Sequence, residues 1–216
     1  MVNSFYYFFS ATPQVLGGVL ALFGVFVVFK IQELKAQLIG LLQTLHNLYE
    51  RKPFYDIIDL DQPIFDRIYQ SLKIGNPLIP IKDVKSIKSK VLHLTADYNR
   101  EKELLEGSKY SDEYESLLKK IDKNDSYFIV LNNFDTVFKN YESIINSTIK
   151  WSIFTASTIV ICLSIIPFGV FLLDHPILLK LLFLFLIMCI AASFFGLVYI
   201  LNRALKKDKN DKWLIY

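Results

Sequence analysis

One apolar stripe continues in register through residues 13–49 of the chain. Its members recur at steps of three and four, which is the spacing of one face of an α-helix. They are Gly17, Leu20, Gly24, Val27, Ile31, Leu34, Leu38, Leu41, Leu45 and Leu48. Residues 11–29 carry no charge, and ~20 apolar residues in a helix cross the hydrocarbon core of a bilayer. The pattern therefore predicts one long helix that spans a membrane and continues into water as a coiled-coil stem.

Two further apolar runs, residues 151–173 and 181–201, lack charged side chains and are long enough to span a bilayer. Hydrophobic residues make up 53% of the sequence, and the mean hydropathy is positive. A soluble domain of this size is less apolar. We therefore expect an all-α integral membrane protein with three transmembrane helices and a helical cytoplasmic domain inserted between the first and the second.

The distribution of charge divides the chain into four parts. They are an outer aromatic segment with the first span (1–30), a cytoplasmic helical domain with the stem (31–150), the hairpin of the second and third spans (151–202) and a basic tail (203–216). Positive side chains follow the first span at Lys30 and the third at Arg203. Because positively charged segments stay in the cytoplasm, we expect the N-terminus and the turn near Asp174 outside a bacterial inner membrane.

Proline and glycine residues predict where the helices begin and end. Thr12 followed by Pro13 predicts the start of a helix, with either Thr12 or Ser10 as the capping residue, and Pro53 predicts that the stem ends near Glu50. Further helices are expected from Asp61 through Lys73, from Lys82 to Gly107, from Ser111 or Asp112, and from about Asn132 into the second span. The run from Tyr127 to Leu131 has the composition of a strand, but with no second strand to pair with we expect helix or loop there.

Small and polar residues in the spans are candidates for lining a pore. None of the spans holds an Asp, Glu, His, Lys or Arg side chain, which argues against coupled transport but not against a pore lined by hydroxyl, amide and backbone groups. The candidates are Ser10, Thr12, Gln14, Gly17, Ala21 and Gly24 in the first span and Thr155 and Thr158 in the second. The alternative is close packing of helices through small residues, which we expect for Ser193 and Gly196 in the third span.

Lysines at the start of one predicted helix form a basic ridge. Lys82, Lys85, Lys88 and Lys90 lie within nine residues, the first three at three-residue spacing. One helical face would then present positive charge to phosphates of nucleic acid or of lipid head groups. The alternative is a solvated face without a ligand.

The chain holds no motif that identifies a reaction. A glycine-rich phosphate loop, a nucleophile elbow and zinc-ligand spacing are all absent from the sequence, and its three histidines are scattered. We therefore expect neither enzymatic activity nor a cofactor. Asp56, Asp59 and Asp61 form a carboxylate cluster that suits either a divalent cation or, as we favour, a solvated turn with capping residues.

Two resemblances add expectations about function. The layout of one span, a helical insertion and a two-span hairpin resembles the inner-membrane proton-channel stators related to TolQ and ExbB, although their span motifs are missing here. The run from Phe8 through Gln14, followed by Gly24, Val25 and Phe26, resembles bacterial three-span membrane proteins that include Hailong-type channels of anti-phage defence. This likeness implies a channel-type antiviral effector gated by a nucleotide or single-stranded DNA.

Together these patterns predict a homo-oligomer with a gated ion channel. The positions expected to pair between chains along the stem are Ile31, Leu34, Leu38, Leu41, Leu45 and Leu48. The rival hypothesis is a non-conducting membrane scaffold that recruits a soluble cytoplasmic partner protein. Membrane lipid is a partner under both hypotheses.

Overall fold

The computed structural model describes residues 2–50, 62–105 and 112–205, and within them it contains helices and turns but no strand. The α-helices are α1 (Val2–Glu50), α2 (Gln62–Ile74), α3 (Ile81–Leu105), α4 (Asp112–Ile165), α5 (Gly169–Asp174) and α6 (Pro176–Leu205). A short 3-10 helix, Ile166–Phe168, joins α4 to α5. The prediction of an all-α fold is confirmed.

Three of these helices, α1, α4 and α6, are long and apolar enough to cross a membrane. Their most apolar segments are only 17%, 22% and 22% buried within the chain. Most of this apolar surface is therefore uncovered, which is unusual for a soluble protein and typical of a surface that meets lipid or another protein.

The chain separates into two compact units. The apolar unit comprises residues up to Gln32 and from Glu142 onward, and the polar unit comprises Glu33–Tyr141. Helices α1 and α4 contribute residues to both units.

In the polar unit, apolar positions from four helices form one core. Its fully or nearly buried members are Leu38, Leu42 and Leu45 of α1, Ile64, Phe65 and Ile68 of α2, Val84, Ile87 and Val91 of α3, and Tyr127, Leu131 and Phe134 of α4. Within each helix these residues are three, four or seven positions apart, or adjacent, as expected for one buried face. The stem of α1 is therefore a core helix of this unit.

A glycine turn ends α2 and directs the chain towards α3. Gly75 has φ +68°, a left-handed conformation that favours glycine. The N–H groups of Gly75 and Asn76 donate to the carbonyls of Leu72 and Ser71, both at 3.1 Å, which is the Schellman pattern of helix termination. The carbonyl of Pro80 then accepts from the N–H of Val84 at 2.8 Å and begins α3.

Helix α4 continues through the region where we expected a break. The separate helix predicted from about Asn132 is wrong, because residues 112–165 form one α-helix. The β-branched and aromatic residues between Tyr127 and Leu131 resemble a strand in composition. Tyr127, Leu131 and Phe134 nevertheless lie at helical spacing on the buried face, so tertiary packing overrides the local preference.

Helix α1 begins at Val2, ten residues before the predicted start, and contains Pro13. Proline inside a helix loses one backbone hydrogen bond and costs about 3 kcal/mol. The turn before it is held by aromatic contacts, because the ring centroids of Phe8 and Phe9 lie 4.6 and 5.5 Å from that of Phe183 on α6.

The second apolar run is also interrupted. Helix α4 ends at Ile165, and Pro167 lies in the 3-10 helix that follows. The six residues of α5 then lead to a turn at His175 before α6, where a hairpin turn was predicted. Leu172 of α5 packs with Phe9, Cys162 and Leu186 in the core of the apolar unit.

Candidate functional site

One side of α1 carries small and polar residues that are exposed or partly exposed among the residues that the structure describes. At 100° per residue, Ser10, Gln14, Gly17, Ala21 and Gly24 fall on one strip, which we call the open face. Ser10, Gln14 and Ala21 are exposed, and a Cβ atom added at Gly17 or Gly24 would meet no atom within 4 Å. The first-span candidates thus share a free surface, with the exception of Thr12.

The other sides of α1 differ in character. Leu16, Phe23 and Val27 are buried against the apolar unit, and Thr12 falls on that side of the helix. Leu22 and Phe29 are 76% and 66% exposed and have bulky apolar side chains. The open face is therefore distinct from both the packed side and the bulky exposed side.

The second-span candidates are enclosed within the chain. Thr155 and Thr158 are 0% and 2% exposed. The Thr158 hydroxyl donates to the carbonyl of Phe154 at 3.0 Å, and the Thr155 hydroxyl has no partner within the residues that the structure describes. Neither residue is on the surface of the single chain, so they do not share a face with the α1 candidates.

Gly196 of α6 lies in close contact with α4 in the apolar unit. A Cβ atom added there would lie 2.1 Å from Cε3 and 2.2 Å from Cδ2 of Trp151. Only glycine leaves room for the indole. The neighbouring Ser193 is buried, with its hydroxyl donating to the carbonyl of Cys189 at 2.9 Å. These contacts agree with the packing role predicted for Ser193 and Gly196.

The predicted oligomer positions on the stem have partners inside the chain. Leu34, Leu38 and Leu45 are buried, and the last two belong to the core of the polar unit. Ile31, Leu41 and Leu48 are half-buried. Pairing of these positions between chains stays a prediction, but the three buried leucines already lie against side chains of their own chain.

The basic ridge is divided by the packing of α3 on α4. Lys82 and Lys85 are exposed, while Lys88 and Lys90 are partly buried. The Lys88 ammonium forms a salt bridge with the Asp135 carboxylate of α4, and Lys85 Nζ lies 5.9 Å from the centre of the Phe138 ring. The free charge of the ridge is therefore concentrated at Lys82 and Lys85.

Two polar connections between helices were not predicted from the sequence. Arg67 of α2 donates to both carboxylate oxygens of Asp83 on α3, at 2.9 and 2.7 Å. The buried Asn124 amide on α4 donates to the carbonyl of Val91 and the hydroxyl of Thr95 on α3, at 3.3 and 2.7 Å. Residue spacing carries no signal for either, because each pairs residues from separate helices.

Tyr127 lies at the centre of the polar unit and is 1% exposed. Burial and the proximity of Tyr49 raise the pKa of the Tyr127 phenol well above its usual value. Tyr49 stacks on Phe65, with ring centroids 4.0 Å apart and planes within 11°. The core therefore favours the neutral phenol of Tyr127 over the charged phenolate.

Comparisons with protein-family models, with curated proteins and with solved structures found no match. Inferences about function therefore depend on the geometry of the chain. Within the described residues no group of three or more His, Cys, Asp or Glu side chains could hold a metal ion. The cluster of Asp56, Asp59 and Asp61 lies outside those residues.

Proposed function

We propose that this chain is the subunit of a homo-oligomer in a bacterial inner membrane, and that the open face of α1 lines a gated pore. The observation that carries the proposal is the exposure of Ser10 and Gln14 on a helix long enough to span a bilayer. The Ser10 hydroxyl donates to the carbonyl of Tyr7 at 3.1 Å, whereas the Gln14 amide has no hydrogen-bond partner among the described residues. An amide that faces hydrocarbon without a partner is costly, so contact with water or with another chain would stabilise the open face. Identical open faces around a symmetry axis provide both kinds of contact.

Gating is proposed to pass along α1 itself. The open face and the core residues Leu38, Leu42 and Leu45 belong to one helix. A ligand that binds one arrangement of the polar unit better than another would shift the position of this helix. Lys82 and Lys85 are the best-placed exposed groups for an anionic ligand. As an antiviral effector, such a channel would be toxic when held open.

Cysteine accessibility tests the pore. In a background with Cys162 and Cys189 replaced by alanine, we would compare A21C on the open face with L22C on the bulky side. Purified protein in planar bilayers should give single-channel steps. A negatively charged thiol reagent should block the conductance of A21C and leave that of L22C unchanged.

Ala21 and Leu22 are adjacent on the same helix turn, but their side chains point about 100° apart. The two variants therefore probe different faces of α1 at the same depth. Block of both variants, or of neither, would reject the open face as the pore lining. A complete absence of channel steps with wild type and every variant would favour the rival function.

That rival is a non-conducting scaffold, and one observation favours it. The polar unit exposes large apolar side chains, with Ile74, Leu104 and Ile129 at 69%, 79% and 56% exposure. A soluble cytoplasmic protein that covered these side chains would remove apolar surface from water. Under the scaffold function, replacing them by serine should release a co-purifying partner, whereas under the channel function conductance should persist.

A further inference from the structure

Gln14 has the largest side chain on the open face of α1. The other members of that face are Ser10, Gly17, Ala21 and Gly24. Residues 15–29, which follow Gln14 along the helix, contain no polar side chain. When identical open faces surround one axis, the Gln14 amide therefore reaches furthest towards that axis.

Contacts within the apolar unit give the direction of its helices. Cys162 of α4 and Leu186 of α6 belong to one buried cluster with Phe9 of α1. The contact between Gly196 and Trp151 lies about ten residues away from this cluster along both α4 and α6. The two helices therefore run antiparallel and leave the cluster on the same side.

Helix α1 leaves the cluster on that side too. Phe9 packs on Phe183 of α6, with ring centroids 5.5 Å apart, and Leu16, Phe23 and Val27 farther along α1 are buried. Val27 lies ~27 Å beyond Phe9 along the helix. Helix α6 begins seven residues before Phe183 and ends 22 residues after it. Among the described elements, only the longer part of α6 and the antiparallel α4 extend far enough to cover Val27, so α1 and α6 run parallel.

This alignment places Gln14 near the middle of the apolar length of α6. Residues 181–202, between Lys180 and Arg203, carry no charge and form ~33 Å of helix, close to the ~30 Å of a hydrocarbon core. Their midpoint lies ~13 Å beyond Phe183, and Gln14 lies ~7.5 Å beyond Phe9 in the same direction. Gln14 is therefore within ~5 Å of the centre of a bilayer that α6 spans.

The chemistry of the Gln14 side chain suits a water-filled constriction at this depth. An amide carries one acceptor oxygen and two N–H donors, and no described residue of the same chain satisfies those of Gln14. Amides that converge on one axis satisfy one another, or they bind water and ions that pass between them.

We propose that the Gln14 side chains of symmetry-related copies form the constriction of the pore, near the middle of the bilayer. This inference deepens the proposed function and rests on it. In the constriction, the amide oxygens contact monovalent cations and the N–H groups contact monovalent anions. Because the ring of amides has no net charge, it discriminates weakly between the two. The glycine and alanine positions that follow leave a wider path.

Cadmium block of introduced cysteines tests the constriction. In the background with Cys162 and Cys189 replaced by alanine, Q14C places thiols at the proposed constriction and A21C places them in the wider section. The control is V15C on the bulky exposed side, where Val15 is 58% exposed. Single-channel conductance is measured in planar bilayers with cadmium chloride on both sides. Because converging thiols bind one Cd²⁺ together, Q14C should be blocked at roughly 100-fold lower concentration than A21C, and V15C should not be blocked.

The variant Q14E tests the selectivity of the constriction. It keeps the length of the side chain and replaces the neutral amide with a carboxylate. Reversal potentials in a KCl gradient should show a K⁺ to Cl⁻ permeability ratio at least roughly fivefold higher than that of the wild type. If alkaline carbonate extracts Q14E from membranes and thereby shows that it does not insert, the cadmium comparison decides.

The outcomes separate this inference from the proposed function. Channel steps in the wild type, together with equal cadmium sensitivity of Q14C and A21C, would overturn the constriction and leave the pore in place. An unchanged permeability ratio in inserted Q14E would do the same. Absence of channel steps in the wild type and in every variant would overturn both proposals.

Discussion

Replacing Gly196 by alanine should destabilise the apolar unit, because the added methyl group has no room beside Trp151. The Cβ atom would lie 2.1 Å from Cε3 of the indole, whereas carbon atoms in ordinary contact are ~3.5 Å apart. The shortfall is thus about 1.4 Å. The indole is rigid, and Phe154 lies against it with ring centroids 5.7 Å apart. Relief therefore requires α6 to move away from α4 or the indole to leave its rotamer.

The expected magnitude follows from two opposing effects. Overpacking a well-packed site costs ~1–3 kcal/mol. Alanine is favoured over glycine inside a helix by about 1 kcal/mol, which offsets part of this cost. We expect a net loss of roughly 1–2 kcal/mol in the free energy of unfolding and a fall of roughly 2–8 °C in the unfolding midpoint.

Gly40 provides the matched control. It lies inside α1, and a Cβ atom added there would meet nothing within 4 Å, so G40A gains helix propensity without a clash. Thermal unfolding of the two variants in detergent should differ by about 2–3 kcal/mol. In a W151A background, G196A should become neutral or stabilising. A midpoint for G196A equal to that of G40A, or no dependence on Trp151, would refute the proposed contact.

Three further outcomes are expected. L38D should make the polar unit sensitive to protease, because burying a carboxylate in that apolar core costs several kcal/mol. The control A36D, on the exposed side of α1, should remain resistant. If L38D instead stays resistant and only the oligomer is lost, the stem pairs between chains. Tyr127 has a raised pKa in the fold, so its stabilising effect is complete below the ordinary tyrosine pKa of about 10 and is lost as pH rises further. The unfolding midpoint should therefore fall less between pH 9 and pH 11 in Y127F than in the wild type, and equal falls would contradict the burial argument. A cysteine at His175 should react with impermeant thiol reagents in intact cells and one at Ser86 should not; the reverse pattern would invert the proposed orientation.

The sequence predicts apolar faces well but does not predict their partners. Leu34, Leu38 and Leu45 stand out by spacing alone, and the structure buries all three. A repeat of three and four residues fits both a coiled coil between chains and a core helix within one chain. The structure distinguishes these two arrangements, because it places the apolar stripes of α2 and α3 in one core with Leu38 and Leu45.

Helix ends and polar pairs were less predictable because they depend on contacts between residues that are far apart in the sequence. Pro13 predicts a helix start, because proline is common at the first position of a helix. In the structure α1 begins before Pro13, and packing of Phe8 and Phe9 on Phe183 supports the preceding helical turn. The salt bridge between Lys88 and Asp135 joins residues 47 positions apart, so no local pattern reveals it. Lysine spacing alone overestimates the unpaired charge of the ridge, because the Asp135 carboxylate on α4 forms a salt bridge with Lys88.

The polar contacts between α3 and α4 also determine the register in which the two helices pair. Apolar faces that repeat every turn match almost as well after sliding by one turn, so hydrophobic contact alone permits misalignment. A slide of four residues along α4 would bring Lys88 next to Leu131 in one direction and next to Lys139 in the other. The first leaves an ammonium group against buried carbon, and the second opposes two positive charges. Asn124 would at the same time lose the carbonyl of Val91 and the hydroxyl of Thr95. The native register is thus more stable than either shifted register, and the polar contacts distinguish them where the apolar faces do not.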